Sequence, residues 1–174
     1  KDDIDVYLPI DKQAKKNIGD FTDIAITFQV NDTADWNAAP IVFETIHIYP
    51  YGEDKVSKYV REPQPNDIII MDNEFATVIV TGYIPGGDYG YAINLFCVNK
   101  TSHLMMFSTY GTIINGTMTD ISYLAYIYPD NCGFNQMILY TDSLKSIGIT
   151  DVKTITFELQ IHKIDGDNYD LYAS

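Results

Sequence analysis

Hydrophobic and polar residues alternate in twos along most of this chain. Over Asp151–His162, Val152, Ile155, Phe157, Leu159 and Ile161 fall close to one side from Ile155 onward, and Thr156, Glu158, Gln160 and His162 to the other. Ile26, Phe28 and Val30 alternate with Thr27, Gln29 and Asn31 in the same way. Successive side chains of a strand point to opposite faces, so this spacing predicts sheets with one dry and one wet face. Further strands are predicted at Ile4–Leu8, Ile41–Tyr49, Phe75–Tyr83, Tyr91–Val98, Leu104–Tyr110, Ser122–Tyr128 and Gln136–Tyr140. Reversals are expected at Pro85-Gly86-Gly87-Asp88, Asn99-Lys100-Thr101-Ser102, Asn115-Gly116 and Asp130-Asn131-Cys132-Gly133. Asn-Gly between apolar runs is a specific hairpin signal, because both residues tolerate positive φ. Helix is confined to Asp11–Asn17 and Asp142–Ile147, the latter with Asp142 as N-cap and Gly148 just past its end. Short strands separated by turns predict an all-β antiparallel sandwich or barrel with one or two very short helices.

Two blocks of the chain match each other. Ile18-Gly19 followed by Ala25-Ile26-Thr27-Phe28 has the spacing of Ile147-Gly148 followed by Thr154-Ile155-Thr156-Phe157. A short strand and a polar helical turn precede each block. An acidic turn leading to an aromatic follows, Asp32 to Trp36 in one and Asp165 to Tyr169 in the other. Internal self-similarity of this kind marks a repeated unit. The organisation expected is a partial repeat over residues 1–50, an extended linker with Pro63 and Pro65 over residues 51–67, and a near-complete repeat over residues 68–174. Partial copies expose apolar faces and strand edges. The segment is therefore expected to belong to a longer tandem array, or to complete itself by strand sharing between chains.

The formal net charge of −13, from 24 acidic and 11 basic residues, argues against nucleic acid and anionic membrane surfaces as partners. Lys12, Lys15 and Lys16 form the one dense cationic stretch. No apolar run approaches the roughly 18 residues of a membrane span, so no membrane insertion of this segment is expected. Fourteen Tyr against one Trp suits half-buried strands, where the ring packs and the hydroxyl stays wet. Cys97 sits in an apolar stretch and Cys132 in a turn-like one, and spacing leaves their pairing open.

Tyr89-Gly90-Tyr91, Val98-Asn99-Lys100-Thr101, Asn115-Gly116, Ser143-Leu144 with Ile147, Ile155-Thr156-Phe157 and the Asp-rich turn before Tyr169 together resemble a known module. It recurs in uncharacterised lipoproteins and surface proteins of gut-type Gram-positive bacteria. The resemblance covers roughly Ile68–Tyr172, and the C-terminal part of the module again over Ile4–Tyr49. Tyr89-Gly90 stands where the module usually has an aromatic-Gly pair with Trp. The resemblance implies an immunoglobulin-like fold, export, tethering through a lipid on an N-terminal cysteine, and a non-enzymatic role at the cell surface. It carries no functional residues with it.

Few residues of this chain point to chemistry. His47 and His162 fall on polar strand faces and His103 follows a turn, so all three read as surface residues. No nucleophile elbow, zinc-ligand spacing or phosphate-binding loop occurs, so no catalytic residue and no cofactor is assigned. Asp165, Asp167 and Asp170 offer oxygen ligands at a spacing suited to weak calcium binding, without the long loop and terminal Glu of an EF-hand. Tyr123, Tyr126 and Tyr128 lie in a segment too aromatic for a solvated edge and are the candidate binding surface. The expected function is a structural or adhesion module that meets a protein or glycan at the cell surface. The alternative is a carbohydrate-binding or accessory module of a secreted hydrolase.

Overall fold

The computed structural model describes residues 19–32, 34, 38–87, 89–165 and 168–173. The strand predicted at Ile4–Leu8, the helical turn at Asp11–Asn17, the Lys12–Lys16 cluster, Trp36 and Asp167 lie outside the described residues. Two compact units divide the chain, Lys1–Glu62 and Pro63–Ser174. Within the first, β1 (Ile24–Val30) pairs antiparallel with β2 (Val42–Ile48) as a two-stranded sheet of their own. The Thr22 hydroxyl accepts from the Ser57 amide at 3.0 Å, tying the segment after β2, with its one-turn 3-10 helix at Glu53–Lys55, back to the strand entrance.

The second unit has two antiparallel sheets. In the first, β3 (Ile68–Asp72), β4 (Ala76–Gly87), β5 (Gly90–Asn99) and β9 (Cys132–Tyr140) lie in the order β3-β4-β5-β9. In the second, β11 (Asn168–Ala173), β10 (Ile155–Asp165), β6 (Met105–Ile114) and β7 (Thr117–Met118) follow one another, and β8 (Leu124–Ile127) also pairs with β6. Strand alternation feeds one shared core. Val78 and Val80 of β4, Leu95 and Cys97 of β5, and Met137 and Leu139 of β9 meet Phe107 of β6, Ile127 of β8 and Ile161 of β10. Burying such side chains supplies the main driving force for the fold. The all-β, antiparallel expectation therefore holds.

Asn115-Gly116 closes a turn as expected. Pro85, Gly86 and Gly87, expected in a reversal, instead end strand β4, and Cys132 and Gly133 open β9, because each stretch is paired into a sheet ladder. Asn115 (φ 50) and Gly116 (φ 85) form the two-residue loop of the β6–β7 hairpin, both in the left-handed region such a turn requires. Helix α1 runs over Thr141–Ser146, and Tyr140 rather than Asp142 is its N-cap, with no side-chain cap bond. Asp142 sits in the first turn, where a negative charge favours the helix N-terminus. The helix ends as predicted on Gly148 (φ 75): the Gly148 amide donates to the Lys145 carbonyl at 3.0 Å and the Ile149 amide to the Leu144 carbonyl at 2.9 Å. Buried Leu144 and Ile149 complete that cap with an apolar contact to the core.

Three strands lie beyond the predicted set: β3, whose Ile68-Ile69-Ile70 run does not alternate, and the short β7 and β11. Cys132 belongs to β9 rather than to a turn, opposite Val98, while Cys97 faces Gly133. The two side chains consequently point to opposite faces of the sheet, and no disulfide joins them.

Candidate binding face

The outer face of the second sheet of the second unit carries a row of large side chains. Register places Tyr126 of β8 opposite Met106 of β6, Met106 opposite His162 of β10, and His162 opposite Leu171 of β11. Adjacent strands lie about 4.8 Å apart, so four side chains in register cross the sheet in roughly 15 Å. Tyr126 is 49 % exposed, Tyr128 59 % and Leu171 54 %, with Leu124 and Tyr169 exposed at either side. Met106 and Ile164 between them are half-buried. Large exposed side chains gathered on one face, rather than scattered singly, make this face the candidate contact surface.

Tyr123 does not belong to this surface. It is only 4 % exposed and sits in the core, against the expectation that it is a contact residue. The Thr109 hydroxyl accepts from its amide at 2.9 Å, and the Thr109 amide donates to its carbonyl at 3.1 Å, turning the ring inward. Its phenol oxygen lies 3.4 Å from Cys97 Sγ. Burial raises both groups above their ordinary values, the thiol to about 11. Strand alternation held the signal: Tyr123 shares its parity with Ala125 and Ile127, which are core, and not with Tyr126 and Tyr128.

The histidines divide. His47 is exposed, with Nδ1 at 2.9 Å from Asp23 Oδ1 and its ring stacked on Tyr49. His103 is exposed in the loop after β5. His162 lies on the outer face as alternation predicts, but it is half-buried and its Nδ1 is shielded without a hydrogen-bond partner. Its neighbours in register, Met106 and Leu171, carry no polar side-chain atom to bond it.

Of the calcium candidates, Asp165 and Asp170 are exposed on β10 and β11. Lys163 Nζ lies 3.4 Å from Asp165 Oδ2, and Lys163 is the cross-strand partner of Asp170, so a cation already stands beside these carboxylates. Among the described residues no group of three or more metal-ligating side chains gathers. A concavity of about 550 Å³ is lined by residues including Asn115, Asp151 and Lys153, and one of about 230 Å³ by residues including Tyr91, Lys145 and Asp151. Neither lining includes His or Cys to pair with a nucleophile. No helix among the described residues is long and apolar enough to cross a membrane.

The motif residues that stood out in the sequence are structural clamps. The Asn99 side-chain amide donates to the carbonyls of His103 (2.7 Å), Ile127 (2.9 Å) and Tyr128 (3.0 Å), and its oxygen accepts from the Thr101 amide and hydroxyl. Lys100 Nζ donates to Asp72 Oδ1 at 2.6 Å and to the Asn73 carbonyl at 2.7 Å, holding the Asp72 carboxyl below its usual range. Asn115 Oδ1 accepts from the amides of Lys153 and Thr154, fixing the entrance to β10. Gly90 has φ 130, and a Cβ there would collide with the Leu139 carbonyl oxygen.

No protein-family model, no curated protein and no solved structure matches this chain. The class that the fold itself defines is an all-β protein of antiparallel sheets.

Proposed function

We propose that this chain is a non-enzymatic extracellular module of a bacterial surface lipoprotein, built from repeated immunoglobulin-like sandwiches, with a structural or adhesion role. The observation that carries the binding role is the solvent-facing row Tyr126, Met106, His162 and Leu171. Aromatic and aliphatic side chains held on a rigid sheet provide contact area at low entropic cost. The same face admits a protein surface or a glycan.

The immunoglobulin-like reading is supported by the strand pairing. On this reading β4, β5 and β9 correspond to strands A, B and E, and β8, β6, β10 and β11 to C′, C, F and G. Chain crossings between the sheets fall after β5, β8 and β9, as that Greek key requires, with α1 in the last of them. The repeat is supported by Gly19 (φ 76) and Gly148 (φ 75), each seven residues ahead of the matching Ile26 and Ile155. Both blocks then run into an antiparallel hairpin, β1–β2 and β10–β11. Export and lipid tethering rest on the family resemblance.

The test is to probe immobilised collagen, fibronectin, laminin and mucin, and a glycan array, with the chain and with a Tyr126→Ser/Leu171→Ser double variant of unchanged melting temperature. Binding to at least one protein, weakened about tenfold or more in the variant, is the expected result. Hits confined to glycans select the carbohydrate-binding alternative. No binding, or binding indifferent to the two substitutions, refutes the assignment.

A further inference from the structure

Among the described residues, the β1–β2 hairpin presents a second apolar face that no other strand or helix covers. The pairs Ile24–Ile48, Ile26–Ile46, Phe28–Glu44 and Val30–Val42 share one side of the hairpin, so every position but Glu44 is apolar. Phe28, Val30, Val42, Ile46 and Ile48 remain 39–49 % exposed. A lone two-stranded sheet is marginal in water, and its apolar face must be covered for it to persist. The matching strand of the second unit, β10, which over this stretch pairs with β6, shows what such a face does. Its Ile155, Phe157 and Leu159 occupy the positions of Ile26, Phe28 and Val30, and they pack into the core beneath a facing sheet.

We propose that β1–β2 packs face to face on the same hairpin of a second copy of this chain, closing a two-layer, four-stranded sandwich across a two-fold axis. The area suffices. Side chains of about 150–200 Å² left 39–49 % exposed amount to roughly 400–500 Å² per hairpin once half-buried Ile24 and Ile26 are added. A pair therefore removes about 1,000 Å² from water, the size at which specific association begins. A two-fold contact is self-complementary, so one apolar patch serves both partners. Glu44 is no obstacle, because in a sheet two strands wide every residue lies at an edge and its carboxylate reaches water. At −13 per chain the copies repel each other, so added salt tightens this dimer, whereas it would loosen one held by ion pairs.

Sedimentation equilibrium of the full chain at about 100 µM, in about 0.05 M and about 0.5 M NaCl, tests the proposal. The expected result is a dimer, tighter at high salt. Val42→Ser with Ile46→Thr, which keeps a good strand former at 46, weakens it about tenfold or more, and Gln29→Ser on the opposite face leaves it unchanged. A short bis-maleimide applied to Phe28→Cys separates lost packing from a lost hairpin: copies packed face to face cross-link, and Gln29→Cys or the parent chain does not. A monomer at both salts overturns the proposal, as does a dimer that ignores the hairpin variants. A dimer abolished only by Tyr126→Ser also overturns it, and points to the outer face of the second unit instead. Loss of the dimer leaves ligand capture by Tyr126 and Leu171 in place, so the two readings fail separately.

Discussion

Truncating Asn99 removes the clamp that joins the end of β5 to the entrance of β6 and the end of β8. Asn99 is buried, its two amide hydrogens are shared among the carbonyls of His103, Ile127 and Tyr128, and its oxygen takes both donors of Thr101. In Asn99→Ala the carbonyls of His103 and Tyr128, close to the surface, recover water. The Ile127 carbonyl, whose bond is buried, recovers none. Losing a buried hydrogen bond that water cannot replace costs about 1–3 kcal/mol, and the two lost Thr101 bonds add about 1 kcal/mol, for roughly 2–4 kcal/mol in all. For a domain of this size that lowers the melting temperature by about 8–16 °C, measurable by calorimetry. Asn99→Asp adds a signature that truncation lacks. The introduced carboxyl faces carbonyl oxygens in a dry site, so its folded pKa lies above the unfolded value of about 3.9. The native state then keeps a proton that the unfolded chain has lost. Stability is retained below about pH 4 and falls as pH rises. A melting shift under about 3 °C for Asn99→Ala, or an Asn99→Asp variant more stable at pH 7 than at pH 4, refutes the clamp.

Further outcomes follow from the same geometry. Gly90→Ala drives a Cβ onto the Leu139 carbonyl and within 2.8 Å of the Thr141 nitrogen, and costs about 3 kcal/mol or more. Gly148→Ala, equally left-handed but with open space around it, costs about 1 kcal/mol; equal denaturation midpoints for the two would contradict the collision. Thr112 is buried with an unpartnered hydroxyl, so Thr112→Val raises stability by about 1 kcal/mol in urea titrations, and a loss would reveal a partner for that hydroxyl. Burial pushes the Cys97 thiol up from 9.0 to about 11, so above pH 9 the unfolded chain releases a proton the folded one keeps. Stability then falls by about 1.4 kcal/mol per pH unit until about pH 11. Cys97→Ala shows a shallower alkaline slope, and an unchanged slope would place the thiol in water.

Much of this fold was legible because a strand sorts its side chains with a period of two. The alternation over Ile155–His162, the Asn115-Gly116 turn and the Gly148 stop each follow from local sterics, and each stands where the sequence put it. The β3 strand was less legible, since an unbroken Ile68-Ile69-Ile70 run carries no period. Asn99 and Asn115 read only as turn residues, because the carbonyls and amides they hold arrive from strands far along the chain.

By itself, the order of residues determined which side chains share a face and, where one set is polar as over Ile155–His162, which face is dry; where both sets are apolar it could not determine which meets the core. Around β8 both sets are aromatic and apolar, and only the facing sheet turned Tyr123 inward and left Tyr126 and Tyr128 in water. The contrast between Phe28 and Phe157 makes the same point. One local pattern forms a strand in both places, yet Phe157 lies against the core and Phe28 faces solvent. Where both faces of a strand are apolar, or one pattern occurs in two settings, burial is decided by what lies opposite the strand.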